Sequence, residues 1–381
     1  MLSRAFGALA LLVLLIIPAG AQTLELVESF PQGTDFDQPD IRDTREVWLE
    51  MLGAARHKIR WATFYLAHRP GQSTEPVLAA VREAADRGVK VELLVDPKFV
   101  ETYPEPLNSL NRHRNIEVRT SPVGGWYGGV MHAKMMLVDE QLGFVGSQNF
   151  DWRSLQHIRE LGVMFRDSGL VEFYGGHFDW EWEHYRELKP PSRPPEIEGE
   201  ASIPGVWATA SPNALNADQS RNDEFQIVRL LDGARREAKF ALLSYSPTTH
   251  DGKHFYPVLD NAVRSAAVRG VKVKVLVSHW MEEKDTLQHL LSLNELDNVE
   301  VRAVRIPLSK EGEIPFARVH HSKYLVVDGE KGWLGTSNWS EGYFHESRNF
   351  GMVFNEAPIP RRLRELFLFD WQRATKLEKK S

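Results

Sequence analysis

One rare phrase occurs twice in this chain, and the repetition constrains its architecture more than any other feature. The first copy reads H-A-K-M-M-L-V-D…G-S-Q-N and supplies His132, Lys134, Asp139, Gly146, Ser147 and Asn149. The second reads H-S-K-Y-L-V-V-D…G-T-S-N and supplies His321, Lys323, Asp328, Gly335, Thr336 and Asn338. Every position recurs after 189 residues. A period that long is too great for a solenoid repeat, so the chain reads as a duplicated domain.

The echo extends beyond the motifs. A helix ending D-R-G-V-K-V-E-L-L-V (86–95) returns as V-R-G-V-K-V-K-V-L-V (268–277). In both, Arg-Gly closes a helix and β-branched residues open a buried strand. Residues 52–66 are matched by 231–245, and each half finishes on an aromatic helix containing F-D-W, at 178–180 and 369–371. The expected order in each half is helix, strand, helix, strand, motif hairpin, further strand and closing helix. The fold class is therefore α/β: two duplicated domains, each a mixed sheet flanked by helices, related by a pseudo-two-fold axis. The expected boundaries are 22–188 and 213–381, with K-P-P-S-R-P-P opening a stiff Pro-rich linker over 189–212.

Residues 1–21 have the pattern of a secretory signal. Arg4 precedes an apolar run over 5–17, then Pro18 and the small-x-small site Ala19-Gly20-Ala21. The run is too short for a bilayer, which needs about 20 apolar residues. A secreted or periplasmic protein with no transmembrane span after signal removal is expected. Loss of the signal takes the formal charge from −6 to −7, because Arg4 is its only charged residue. So acidic a chain is unsuited to a broad, salt-dependent grip on duplex DNA. The absence of cysteine excludes disulfides and thiolate metal sites.

His132 and Lys134 stand two apart, as do His321 and Lys323, so on a strand each pair shares a face. D-E-Q-L-G (139–143) and D-G-E-K-G (328–332) read as hairpin turns that return Ser147 and Asn149, or Asn338, beside the histidine. Glycine before them lets backbones approach closely. A phosphodiester is cleaved without metal or cofactor when one neutral histidine attacks phosphorus and a second, protonated one serves the leaving oxygen. Two lysines and two amides around the nonbridging oxygens complete the set. Each copy holds half of these groups, so one composite site between the halves is expected, and no dimer is needed to complete it. Asp139 and Asp328 end strands at turns, where turn support or ion pairing is expected of them. Aromatic residues near the motifs, Trp126, Tyr127, Trp280 and Tyr343, read as a stacking platform for bases or as interface core.

These are the HxKxxxxD…GxxN motifs, and the chain resembles the phospholipase D superfamily. The strings G-S-Q-N-F-D-W-R-S-L (146–155), I-P-F-A-R-V-H-H-S-K-Y (314–324) and G-T-S-N-W-S (335–340) are similar to its animal lysosomal branch. That resemblance implies a phosphodiesterase acting through a phosphohistidine on single-stranded nucleic acid, from the 5′ end. The alternative is a phospholipase D or phosphatidyl transferase acting on phospholipid. It also implies a carboxylate that steadies each histidine through its other ring nitrogen. Glu160, eleven residues after Asn149, fits that place, whereas Asn349 stands eleven after Asn338, with Glu346 nearby as a substitute. With Glu160 taken as the partner of His132, the asymmetry points to His132 as nucleophile and His321 as acid.

Overall fold

The computed structural model describes residues 23–283, 285–355 and 358–378; the expected leader lies outside the described residues. The first half contains β1 (Thr23–Ser29), β2 (Arg42–Asp43), β3 (Lys58–Thr63), β4 (Leu66–Ala67), β5 (Lys90–Val95), β6 (Ile116–Thr120), β7 (Lys134–Val138), β8 (Leu142–Gly146), β9 (Phe150–Asp151) and β10 (Glu160–Arg166). Eight of these form one sheet in the order β2-β1-β10-β8-β7-β3-β5-β6, and β4 pairs with β9. Strands β3, β5 and β6 run parallel, while β7, β8 and β10 form an antiparallel meander beside them. Helices Thr74–Asp86 and Pro104–Asn111 provide the crossovers that parallel neighbours require.

The second half repeats the plan with β11 (Val206–Ser211), β12 (Glu237–Leu242), β13 (Lys272–Ser278), β14 (Val299–Val304), β15 (Tyr324–Val327), β16 (Lys331–Gly335), β17 (Asn349–Asn355) and β18 (Ala374–Lys376). Its order is β11-β17-β16-β15-β12-β13-β14-β18. The expected linker is shorter than 189–212, because β11 falls inside that stretch and pairs along β17. The remainder is packed down: the Ser202 amide donates to Asp167, 2.9 Å away, at the start of the closing helix Ser168–Glu183. No helix among the described residues is long and apolar enough to cross a membrane.

One continuous core joins the halves, with Leu137, Phe165 and Tyr174 from the first packed with Leu334, Phe350 and Phe367 from the second. Both closing helices enter it, and their true register corrects the F-D-W match. Phe178 stacks on Trp182 at 5.6 Å, and Phe367 on Trp371 at 5.3 Å, so the equivalent residues stand 189 apart. The repeated letters are two residues out of register, which turns a helix by about 200°. Asp179 accordingly faces Arg60 at 2.8 Å, partly exposed, while Asp370 is buried. The true partner of Asp370 is Glu181. Asp370 pairs with Arg159 and Glu181 with Arg348, two buried ion pairs across the interface related by the same repeat.

Candidate active site

Backbone bonds between the halves place the motifs. The His132 amide donates to the Arg348 carbonyl (2.9 Å), and the Arg348 amide to that of Val130 (2.9 Å). In the mirrored contact the His321 amide donates to Arg159 (2.9 Å) and the Arg159 amide to Val319 (3.0 Å). The histidines therefore lie just ahead of β7 and β15 rather than on them, and the other half supplies their ladder. Each lysine ammonium turns back onto its own histidine's carbonyl, Lys134 to His132 and Lys323 to His321, both at 2.6 Å. Both lysine side chains are buried.

This geometry crosses the histidine partners. Arg159 and Arg348 immediately precede Glu160 and Asn349, so each of those side chains is delivered to the opposite half's histidine. Glu160 Oε2 lies 2.7 Å from His321 Nδ1, and Asn349 Oδ1 lies 2.9 Å from His132 Nδ1. The expected pairing of Glu160 with His132 is thus corrected. Asn349 Nδ2 donates to the Tyr343 carbonyl (2.8 Å) and to Ser211 Oγ (3.1 Å), which turns its oxygen toward His132. That oxygen accepts, so His132 carries its proton on Nδ1 and keeps Nε2 unprotonated. Hydroxyls support both partners: Ser154 donates to Glu160 (2.6 Å) and Thr336 to Asn349 (2.9 Å). Glu346 does not substitute for the missing carboxylate, since it lies 2.8 Å from His250 Nδ1 on a partly exposed rim.

The other motif residues hold the frame. Asp139 accepts from the amides of Arg56, His57 and Lys58, and Asp328 from those of Arg235, Arg236 and Glu237. Each aspartate therefore ties its hairpin to the start of the neighbouring parallel strand, with no role in the cavity. Ser147 Oγ donates to the Leu161 carbonyl and accepts from the Leu161 amide, joining β8 to β10. Opposite it in the ladder, Gly146 faces Gly162, and a Cβ on Gly146 would sit 2.7 Å from the Gly162 Cα.

His132, His321, Asn149 and Asn338 line a cavity of about 350 Å³. Burial lowers the pKa of both histidines well below the usual value, and the Lys134 and Lys323 charges lower it further. Burial likewise brings Lys323 down to about 7 and Glu160 up to about 7. Lys134 is lowered well below its ordinary value, first by burial and then by Lys323. The crowded cations favour an anion that restores their charges.

Trp280 and Tyr343 do line this cavity, and the Tyr343 ring stands edge-on to His132 at 4.9 Å. Trp126 and Tyr127 do not. They follow β6, the edge strand two places from β3, and Trp126 packs on Trp180 and donates to the Glu187 carbonyl at 2.8 Å. Trp333 and Trp339 are interior: the first donates to Asp223 and the second stacks on Phe240. The sequence reading missed Phe64, Tyr65, Phe99, Tyr103, Arg153 and Phe316, which complete the wall. Phe64 and Tyr65 directly follow the carboxyl end of β3, and Phe99 comes four residues after that of the parallel strand β5, the sheet edge where open α/β sheets bind ligands. That position was the available signal.

The duplicated fold and its composite histidine site define a phosphodiesterase of the phospholipase D superfamily. The domain family described as cardiolipin synthase, PLD-like domain matches twice, over residues 48–182 and 227–371, and the chain belongs to this family. It is 30% identical to human 5'-3' exonuclease PLD4, over 91% of this chain and 77% of that protein. It is 28% identical to Phospholipase D Z of Dictyostelium discoideum, over 92% and 89% respectively. Among solved structures, phosphatidylserine synthase of Haemophilus influenzae shares the fold, with a TM-score of 0.63 at 11% identity over 87% of this chain and 85% of that one.

Proposed function

We propose that this protein is an exported, metal-independent phosphodiesterase that cleaves single-stranded nucleic acid from its 5′ end through a phosphohistidine. The observation that carries the reading is the pair of cross-held imidazoles facing one nucleotide-sized cavity walled by aromatic rings. Such rings stack bases without regard to sequence. The human relative's name, 5'-3' exonuclease, supports cleavage from the 5′ end, and the leader-like residues 1–21 support export. Two ammonium groups beside the histidines disfavour a divalent cation there, in keeping with chemistry that needs none.

His132 Nε2 attacks phosphorus while the bond to the leaving 5′ oxygen breaks and His321 donates the proton that oxygen requires. Water then cleaves the phosphohistidine, with His321 accepting a proton from it. The roles follow from the crossed partners. Glu160 holds a proton that it can pass to His321 Nδ1, and the carboxylate so formed stabilises the imidazolium, which suits the acid. Asn349 has no proton to give up and no charge to gain, which leaves His132 neutral and suits the nucleophile. The assignment matches the sequence expectation, but for the opposite reason.

The cavity wall is largely apolar, and this favours a second reading, a phospholipase D or phosphatidyl transferase on phospholipid, in keeping with the name of the Dictyostelium relative. Purified protein offered a 5′-hydroxyl oligonucleotide and phosphatidylcholine side by side separates the two. Release of 3′-mononucleotides, unaffected by EDTA, is expected. Choline release without nucleotide release would reverse the substrate class.

A further inference from the structure

A second basin of about 580 Å³ adjoins the catalytic cavity, and Trp280 and Phe316 line both. Its walls alternate apolar surface, from Ile306, Leu308 and Ile314, with arginines. Two of its cations are matched: Arg305 pairs with Glu282 at 2.7 Å and Arg373 with Asp35 at 2.6 Å. Glu313, on the rim, is exposed to solvent. Arg318 differs from both. It exposes 5% of its surface, yet among the described residues its guanidinium hydrogen-bonds only the Gln32 carbonyl, at 3.0 Å through both terminal nitrogens. Its Nε has no hydrogen-bond partner, and the nearby His157 brings no negative charge. No carboxylate offsets the burial that lowers its pKa.

A buried guanidinium without a counter-ion is costly unless a ligand anion completes it. The backbone around it is also unusual, because Phe316 (φ 60°) and Arg318 (φ 57°) are both left-handed without being glycine. Such conformations persist where surrounding structure enforces them, and they gather at ligand sites. Here the Arg318 amide is held by the His157 carbonyl at 2.9 Å, so the turn is tied to the first half.

We infer that Arg318 holds the phosphodiester next to the one being cut, with the strand passing from the catalytic cavity over Trp280 and Phe316 into the second basin. The planar fork of arginine fits a phosphate bidentately, and the two shared rings offer faces for the intervening base. This inference rests on the nucleic-acid reading above and adds a second subsite to it. A single-phosphate substrate leaves that subsite empty.

Trithymidylate with one linkage replaced by neutral methylphosphonate, cleaved at the other linkage, tests the inference on the wild-type protein. Its kcat/KM should be lower by about tenfold or more than that of the all-phosphate trinucleotide, the range for a charge-assisted hydrogen bond. Arg318→Gln should bring the all-phosphate substrate down to the methylphosphonate rate. The same variant should leave thymidine 3′-(p-nitrophenyl phosphate), which has no second phosphate, within about twofold, and that reaction also reports correct folding. Equal wild-type rates on the two trinucleotides would overturn the subsite whatever the variant does, and so would an Arg318→Gln protein that still discriminates. A wild-type protein that cuts neither trinucleotide but hydrolyses phosphatidylcholine overturns the nucleic-acid reading itself.

Discussion

Replacing Glu160 by glutamine tests the division of labour between the two histidines. Glutamine keeps the shape and an oxygen for His321 Nδ1, but it cannot release a proton, so it removes the anion that forms 2.7 Å away when His321 takes up the proton that Glu160 holds below about pH 7. The second half shows that an amide fits this place, since Asn349 occupies it opposite His132. An adjacent opposite charge shifts a titrating group by about 1–3 pKa units, equivalent to about 1.4–4 kcal/mol of preference for imidazolium. General acid catalysis contributes about 10²–10⁴-fold, so loss of the poised acid should lower kcat on oligonucleotide by roughly 10²-fold. A nitrophenolate leaving group needs little protonation. The presteady-state burst from thymidine 3′-(p-nitrophenyl phosphate) should therefore survive Glu160→Gln and His321→Asn, and disappear in His132→Asn. The stability consequence is independent of catalysis. Burial raises Glu160 from 4.5 to about 7, so the folded state binds its proton more tightly than the unfolded state does. Its contribution is intact below pH 4.5 and is lost as pH rises through 7, a change of about 3 kcal/mol that a neutral glutamine does not undergo. At pH 8 the variant should be the more thermostable protein and the poorer enzyme. A burst abolished in His321→Asn but retained in His132→Asn would refute the assignment of roles.

Both histidines are lowered below the ordinary value of 6.5 in the free protein. Since the acid must be protonated and the nucleophile neutral, the bell-shaped kcat/KM profile should peak at a pH below about 6.5, and a peak above pH 8 would contradict this electrostatic account. Asp139→Ala removes the acceptor for three backbone amides and should lower stability by about 1–3 kcal/mol in urea titration, with kcat unchanged at a temperature where the protein is folded. Glu181→Leu strands Arg348 in the interface and should cost about 3–5 kcal/mol, while the double variant Glu181→Leu/Arg348→Met recovers much of that loss in the same titration. No recovery would mean that Arg348 matters through its bond to the Ser211 carbonyl rather than through its charge.

The parts of this protein legible in its sequence are those carried by residue type at fixed local spacing. His132, Lys134 and Asn149 repeat as His321, Lys323 and Asn338 because a hairpin and its returning strand fix them over a short distance, and local geometry copies with the chain. The interface was not legible in this way. The F-D-W match failed because three shared letters on a helix do not say which face they occupy; a two-residue slip put Asp179 outside and hid the Glu181–Arg348 pair. Trp126 misled because proximity in sequence to His132 is not proximity across a sheet, where β6 lies at the edge. The partner of each histidine failed for the deepest reason, since Glu160 and Asn349 act only through the opposite half, 161 and 217 residues away along the chain. That crossing also resolves a difficulty inherent in a duplicated site. Two equivalent halves offer two equivalent histidines, yet phosphoryl transfer needs one neutral and one protonated. On the roles proposed above, a carboxylate in one partner position and an amide in the other separates them at the scale of a single hydrogen bond. The sheets, aspartate ties and glycine contacts that build the fold stay duplicated. The scaffold remains symmetric because the asymmetry the chemistry requires is confined to what each half presents to the other.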